Sequence, residues 1–164
     1  MVASLDAFVE LDRLNMAPII EAAGGKFDPV FRRTRLIAEI EAGSELIAVW
    51  RNDSLAAYLE FQITNDRCKV QSIQIHPDHQ GSAILACLLG KVCKMLQDAP
   101  RLIVHSSVHE GNTKSLSLHQ KLGFREIKRE RNRVMFEVHG HDLIKRLSRF
   151  ERRAAYHNPG AADG

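Results

Sequence analysis

The stretch Ile73-Gln74-Ile75-His76-Pro77-Asp78-His79-Gln80-Gly81-Ser82-Ala83-Ile84-Leu85 carries the residue types of an anion site. Ile73 and Ile75 alternate with polar neighbours, the period of two of a half-buried strand. Pro77 cannot donate to a ladder and ends that strand. Residues 78–82 form a polar turn. Residues 83–97 then read as a helix, apolar at Ile84, Leu85, Leu88, Leu89, Val92 and Leu96. Such a turn presents the free N–H groups of the first helical turn, and the helix dipole adds positive charge there. A phosphate would be held by backbone. The same arrangement also occurs as a plain strand-to-helix connection, so the stretch alone leaves both readings open.

A second stretch separates them. Asn112-Thr113-Lys114-Ser115-Leu116-Ser117-Leu118-His119-Gln120-Lys121-Leu122-Gly123-Phe124 opens on a helix cap and closes on Gly after the last turn. The two stretches together resemble the GNAT superfamily of acyl-CoA N-acyltransferases. The family's phosphate motif, V-x-P-x-x-[RQ]-x-x-G-x-[GA], lies over Ile75 to Leu85. Its later motif, N-x-x-[AS]-x-x-L-[Y]-x-K-x-G-F, matches at Asn112, Ser115, Leu118, Lys121, Gly123 and Phe124. The resemblance covers about residues 68–138. Three positions depart from it: Ala83 replaces the central Gly, Leu85 replaces the last Gly or Ala, and His119 replaces the frequent Tyr. Leu85 places bulk where the helix start approaches the cofactor.

The resemblance implies roles residue by residue. Main-chain groups of Ile73, Gln74 and Ile75 pair with the pantetheine amides of acyl-CoA. Backbone of Gln80, Gly81, Ser82, Ala83, Ile84 and Leu85 holds the pyrophosphate. Asn112 bonds the pantetheine arm, or only caps its helix, or does both. His119 stands where many members carry the acid that protonates the departing thiolate, and an imidazolium with a pKa near 6.5 can give that proton. Its bland alternative is an exposed helix histidine. Glu60 is a candidate general base, on a strand facing the cleft; His105 and Glu110 are others. Members that acetylate ribosomal-protein N termini carry a Glu at the position of Ser107, which argues against that subgroup. His76 and His79 lack strong companions for a metal, so no metal is expected.

These residues need elements to position them. Residues 6–23 read as a helix, apolar at Phe8, Leu11, Leu14, Ile19 and Ile20, with Pro18 breaking or kinking it. Asp28-Pro29 starts a second helix, apolar at Val30, Phe31, Leu36, Ile37 and Ile40. In the family this pair shapes the acceptor cleft. Residues 45–51 and 54–64 form a hairpin around Asn52-Asp53. Strands follow over 68–76 and 101–108, a helix over 113–122, a hairpin around Arg131-Asn132, and a last helix over 141–156. That helix carries Leu143, Ile144, Leu147 and Phe150 on one side, an apolar face that covers the sheet or a second subunit. Homodimerisation is expected on that ground. The fold expected is α/β: a mixed, mostly antiparallel sheet of six or seven strands, splayed at its central parallel pair, with helices on both faces.

Composition sets the outer limits. The chain has 164 residues, 45% hydrophobic and 26% charged, which suits a single soluble domain with a real core. Residues 1–157 read as that domain and 158–164 as a disordered tail. Three Cys are too few for a disulfide framework, and no leader or membrane span is legible, so a cytoplasmic protein is expected. Net charge is only +3, but Arg and Lys crowd residues 125–153. A solvated face explains this more simply than an acidic partner, and no nucleic-acid signature accompanies it.

The function expected is acetyl (acyl) transfer from acyl-CoA to a primary amine, in a small molecule or peptide. Attack would be direct, in a ternary complex, since no well-placed nucleophilic Cys suggests a covalent intermediate. Two alternatives stand beside it: transfer of a longer acyl chain to a peptide side chain, and a non-catalytic relative that binds CoA or a protein.

Overall fold

The computed structural model describes residues 4–156. The chain runs α1 (Leu5–Ala22), α2 (Pro29–Glu41), β1 (Ser44–Arg51), β2 (Ser54–Thr64), β3 (Arg67–Ile75), a 3-10 turn (Pro77–His79), α3 (Ser82–Asp98), β4 (Ile103–His109), α4 (Thr113–Lys121), β5 (Arg125–Glu130), β6 (Arg133–His139) and α5 (Gly140–Tyr156). The strands form one six-stranded sheet in the order β1-β2-β3-β4-β6-β5. Only β3 and β4 pair in parallel. The expected splayed sheet is therefore present, and its helices lie on both faces. The expected tail from residue 158 lies outside the described residues.

Local chemistry sets the punctuation. Asn52 and Asp53 both take positive φ, as do Arg131 and Asn132, so each hairpin turns through two left-handed residues. Asp28 accepts from the Phe31 N–H, with Pro29 at the first helical position. Pro18 lies within the last turns of α1, which runs on through it to Ala22.

The burial of α1 and α2 differs from the pattern expected. Ile19 is 61% exposed, Val30 74% and Phe31 65%. Buried instead are Val9 and the charged Asp12 on α1, and Leu36 alone on α2. These helices cover β2 with one short cluster, Phe8, Leu11, Leu36 and Tyr58, and their far ends stand clear of the sheet.

The main core lies on the other face. There α3 packs Leu88, Leu89, Cys93 and Leu96 against Leu59, Phe61 and Val104, and α5 closes over it with Leu143 and Leu147. Both α5 leucines are buried by their own chain. The apolar face that motivated a second subunit is thus covered from within. Much of the basic stretch is also neutralised locally: Arg125 pairs with Glu137, Lys128 with Glu130 and Arg129 with Glu126.

Gly140 joins β6 to α5 where the chain is tightest. Its N–H donates to the Leu102 carbonyl at 2.7 Å. A Cβ there would lie 2.9 Å from the carbonyl oxygens of Pro100 and Leu102, both backbone atoms that cannot swing aside. Gly140→Ala should destabilise the fold by about 1–3 kcal/mol, as overpacking does. Urea denaturation should show a lower midpoint with an unchanged slope.

Candidate active site

The site begins with a count of residues. In β2 and β3, Glu60 pairs with Ser72 but Phe61 pairs with Val70, so Gln71 is an extra residue on β3. A bulge bends the strand that carries it. The pairing of β3 with β4 covers Arg67↔Ile103, Cys68↔Val104 and Lys69↔His105, and stops just before that bulge. From Val70 onward the two strands diverge.

Divergence leaves an edge of β3 unpaired. The His76 N–H donates to the Ala56 carbonyl at 2.8 Å, which sets the alternation of the antiparallel ladder. Gln74 and Ser72, opposite Tyr58 and Glu60, then direct their main chain toward β2. Ile73 and Ile75 direct theirs toward the slot. Asn15 of α1 donates to the Ile75 carbonyl at 3.0 Å and to the Gln74 side-chain oxygen at 2.8 Å. Asn15 is a site residue that sequence reasoning missed.

The N-terminus of α3 stands at the mouth of this slot. Its cap residue, Gly81, supplies no side-chain hydrogen bond. Nothing lies within 4 Å of where a Gly81 Cβ would be. A hollow of about 290 Å³ beside it is lined by Arg51, Asn52, Asp78, His79, Gly81, Ala83 and Ile84. On the other side the Lys114 ammonium donates to the Gln80 side chain at 3.2 Å. Uncapped N–H groups with a cation on either side make a chemically suitable cradle for phosphate oxygens. The bulk of Leu85 does not obstruct it, because that side chain packs against the main core. His76 is occupied locally: its Nδ1 accepts from the Asp78 N–H. Asn112 caps α4, its Oδ1 accepting from the Ser115 N–H at 3.1 Å.

His119 was expected either as the acid for the thiolate or as an exposed helix histidine, and the structure corrects the exposure. The residue is 7% exposed. Its Nδ1 lies 2.7 Å from the Ser115 carbonyl oxygen, which can only accept, so Nδ1 carries the proton. Nε2 is then free to accept from the Ser106 hydroxyl at 2.8 Å. The ring stacks on Phe136 and meets Phe124 edge-on. Burial lowers its pKa against a smaller opposing contribution from the Ser115 carbonyl. The imidazole is neutral at neutral pH. Ser106, which it holds, borders a cavity of about 390 Å³ between β3 and β4, with Val70 and Lys69 across from it.

Glu60 lies one strand in from the slot. Period-two alternation puts it beside Tyr58 on the face covered by α1 and α2. Arg32 of α2 organises the group. It donates to Asp12, to Glu39 at 2.9 Å, to Glu60 at 3.2 Å and to the Tyr58 oxygen at 3.4 Å. Tyr58 in turn donates to Asp12. Burial alone would lower the Arg32 pKa; its hydrogen bond and attraction to Asp12 outweigh that and raise it. Glu60 is raised above the usual carboxylate range, first by burial and then by the charge of Glu39, with Arg32 opposing. Its Oε1 has no hydrogen-bond partner among the described residues. Asp12, Glu39 and Glu60 all border a cleft of about 410 Å³ between the helix pair and β3. Of the other base candidates, His105 lines the cavity beside Ser106 with its Nδ1 3.8 Å from Glu137, and Glu110 is exposed near Arg129. Ser107 is held by Arg133 through its hydroxyl and its carbonyl.

Comparison with known proteins agrees with this architecture. The profile of the Acetyltransferase (GNAT) family matches residues 11–124, and the chain belongs to that family. A stretch of 53 residues is 36% identical to the L-amino acid N-acyltransferase MnaT of Escherichia coli strain K12. It amounts to 32% of this chain and 31% of that one, so the chain spans about a third of the length of this curated relative. Among solved structures, the ribosomal-protein-S18-alanine N-acetyltransferase of Escherichia coli superposes with a TM-score of 0.70 at 16% identity, covering 85% of this chain and 89% of that one. The PaiA N-acetyltransferase of Thermoplasma acidophilum, in complex with coenzyme A, gives 0.64 at 16% identity, covering 82% and 92%. These likenesses are of fold.

The buried neutral His119 has a consequence for stability. Its folded pKa is depressed, so the unfolded chain binds more protons once pH falls below about 6.5. The stability it contributes is complete above that pH and declines as pH drops toward the folded value. His119→Phe keeps the ring's volume and removes the titration. Between pH 7.5 and 5 the parent should lose more stability than His119→Phe, read as the difference in urea midpoints.

Proposed function

We propose that this chain transfers an acetyl (acyl) group from acyl-CoA to a primary amine by direct attack. The observation that carries the reading is the parting of β3 and β4 beside the uncapped N-terminus of α3. The slot offers main-chain partners at Ile73 and Ile75 for an amide-bearing arm. Gln74, held by Asn15, stiffens that edge. The N–H groups from Gly81 to Leu85 receive the pyrophosphate, and Asn112 orders the start of α4 beside it.

Glu60 serves as the general base. A carboxylate with a raised pKa is a stronger base than an ordinary one, and its unpartnered Oε1 is the free lone pair that a proton needs. It takes the proton of the attacking ammonium, directly or through one water. The amine nitrogen then bonds to the thioester carbon, the carbon–sulfur bond breaks with its electron pair going to sulfur, and CoA leaves as a thiolate while the second proton lost by the nitrogen goes to that thiolate or to solvent. His119 acts through Ser106, holding that hydroxyl at the slot, and is a positioning residue rather than the acid. The three free, buried cysteines suit a reducing compartment, and we read the protein as cytoplasmic. No helix among the described residues is long and apolar enough to cross a membrane.

Two variants test the two halves of the site. Gly81→Glu adds negative charge in open space beside the cradle, so the fold should survive while acetyl-CoA binding weakens at least tenfold in calorimetry. Unchanged binding would move the phosphate site elsewhere. Glu60→Gln should lower kcat/KM with amine by roughly a hundredfold. In the parent, kcat/KM should rise with pH through a limb above the ordinary carboxylate value, because only ionised Glu60 accepts a proton. Glu60→Gln should lack that limb.

A further inference from the structure

We infer that the acceptor is a primary amine carried on an apolar group of about aromatic size, its nitrogen directed to Glu60 and its apolar part to the lip formed by α1 and α2. This rests on the acyltransferase reading and adds the acceptor's chemistry. Three observations carry it.

The first is the unfilled lone pair. Glu60 is 1% exposed, and its Oε1 meets no donor among the described residues. A buried carboxylate oxygen requires one. Arg32 is already divided among Asp12, Glu39, Glu60 and Tyr58. An ammonium brings three N–H donors and one positive charge into a group where Asp12, Glu39 and Glu60 outnumber the guanidinium that joins them.

The second is the lip. Phe31 borders the cleft while 65% exposed, together with Phe27, Ile20 and Met16. Val30 and Ile19, next to Phe31 and Ile20 in the sequence, are exposed as well. Large apolar side chains gathered at the mouth of a cleft mark a place where something apolar settles. The cleft volume of about 410 Å³ falls in the range of small-molecule sites.

The third is the charge at the mouth. Lys26, Arg35 and Asp28 line the same cleft as the carboxylates, with Arg35 bonded to Glu39 at 2.8 Å. A polyamine that reached Glu60 with one ammonium would have to place its next one in a cleft whose cations, Lys26, Arg32 and Arg35, stand against Asp28 as the one lining acid outside the Arg32 group. An amine with an uncharged apolar body meets no such penalty.

The test uses the full-length protein with acetyl-CoA, following thiol release. The acceptors are 2-phenylethylamine, ethanolamine, spermidine and L-phenylalanine. The expected order puts 2-phenylethylamine at least tenfold above ethanolamine and spermidine in kcat/KM. Phe31→Ser should reduce the ratio of 2-phenylethylamine to ethanolamine about tenfold, through KM of the amine, with KM for acetyl-CoA unmoved. Calorimetry should show 2-phenylethylamine binding to the parent and losing most of its affinity in Glu60→Gln. Spermidine equal to or better than 2-phenylethylamine overturns the inference. So does an unchanged ratio in Phe31→Ser. A tenfold preference for L-phenylalanine over 2-phenylethylamine overturns it too, since a carboxylate would then be a required element. Each of these results leaves the acyltransferase reading standing. Acetyl-CoA binding without thiol release across a broad panel of amines and peptides would instead remove that reading, and the inference with it.

Discussion

One residue too many in β3 creates the working space of this protein. Gln71 has no counterpart on β2, and the bend it imposes comes directly after the last parallel pair with β4. Two buried strands that separate inside a sheet expose peptide groups that would otherwise bond to one another, and those groups need other partners. Asn15 takes the Ile75 carbonyl. The remaining slot-facing peptide groups are chemically suited to pair with amides. The helix that follows, α3, is anchored by its apolar face in the main core, so its N-terminus is fixed at the mouth of the slot.

On the opposite face the governing force is charge under partial burial. Asp12, Glu39 and Glu60 are tolerable there because one guanidinium reaches all of them. Arg suits this task by geometry: its donors spread in a plane and its charge persists even when buried. The arrangement does not neutralise its members equally. Glu39 has a second partner in Arg35 and its pKa is lowered, whereas Glu60 has only its share of Arg32 and its pKa is raised. The two carboxyl groups therefore differ in how many cations reach them.

The elements were legible in the sequence where local rules decide them. Asn52-Asp53, Asp28-Pro29 and Gly123 each announce a turn, a helix start or a helix end through their own backbone preferences, and the structure has them there. The parting of β3 and β4 was legible only through the resemblance that the Pro77–Leu85 turn carries. The bulge at Gln71 leaves no mark, since glutamine has no special backbone preference. The burial of α1 and α2 was misread because periodicity finds an apolar stripe but not what covers it. Val30 and Phe31 satisfy the helical period and still face outward. His119 was misplaced for a related reason: a polar side chain between two phenylalanines looks like a surface residue until the strands bring Ser106 to it. Arg32 gave no signal among many arginines. Asp12, a lone acid beside Leu11 and Phe8 on the buried side of α1, could have given one.

Strand β3 serves both halves of the site, but with different parts of itself. Its edge meets the slot through peptide groups, and its Ser72 and Gln74 side chains meet the cleft. Peptide groups are the same whatever residue carries them, whereas side chains are open to replacement. Substitutions on β3, α1 and α2 can therefore change the chemistry of the cleft and leave the peptide groups of the slot as they are. A single backbone thickness divides what is heritable as shape from what is negotiable as chemistry. Under the proposed reading, a change of acceptor would leave the groups that meet the acyl donor untouched.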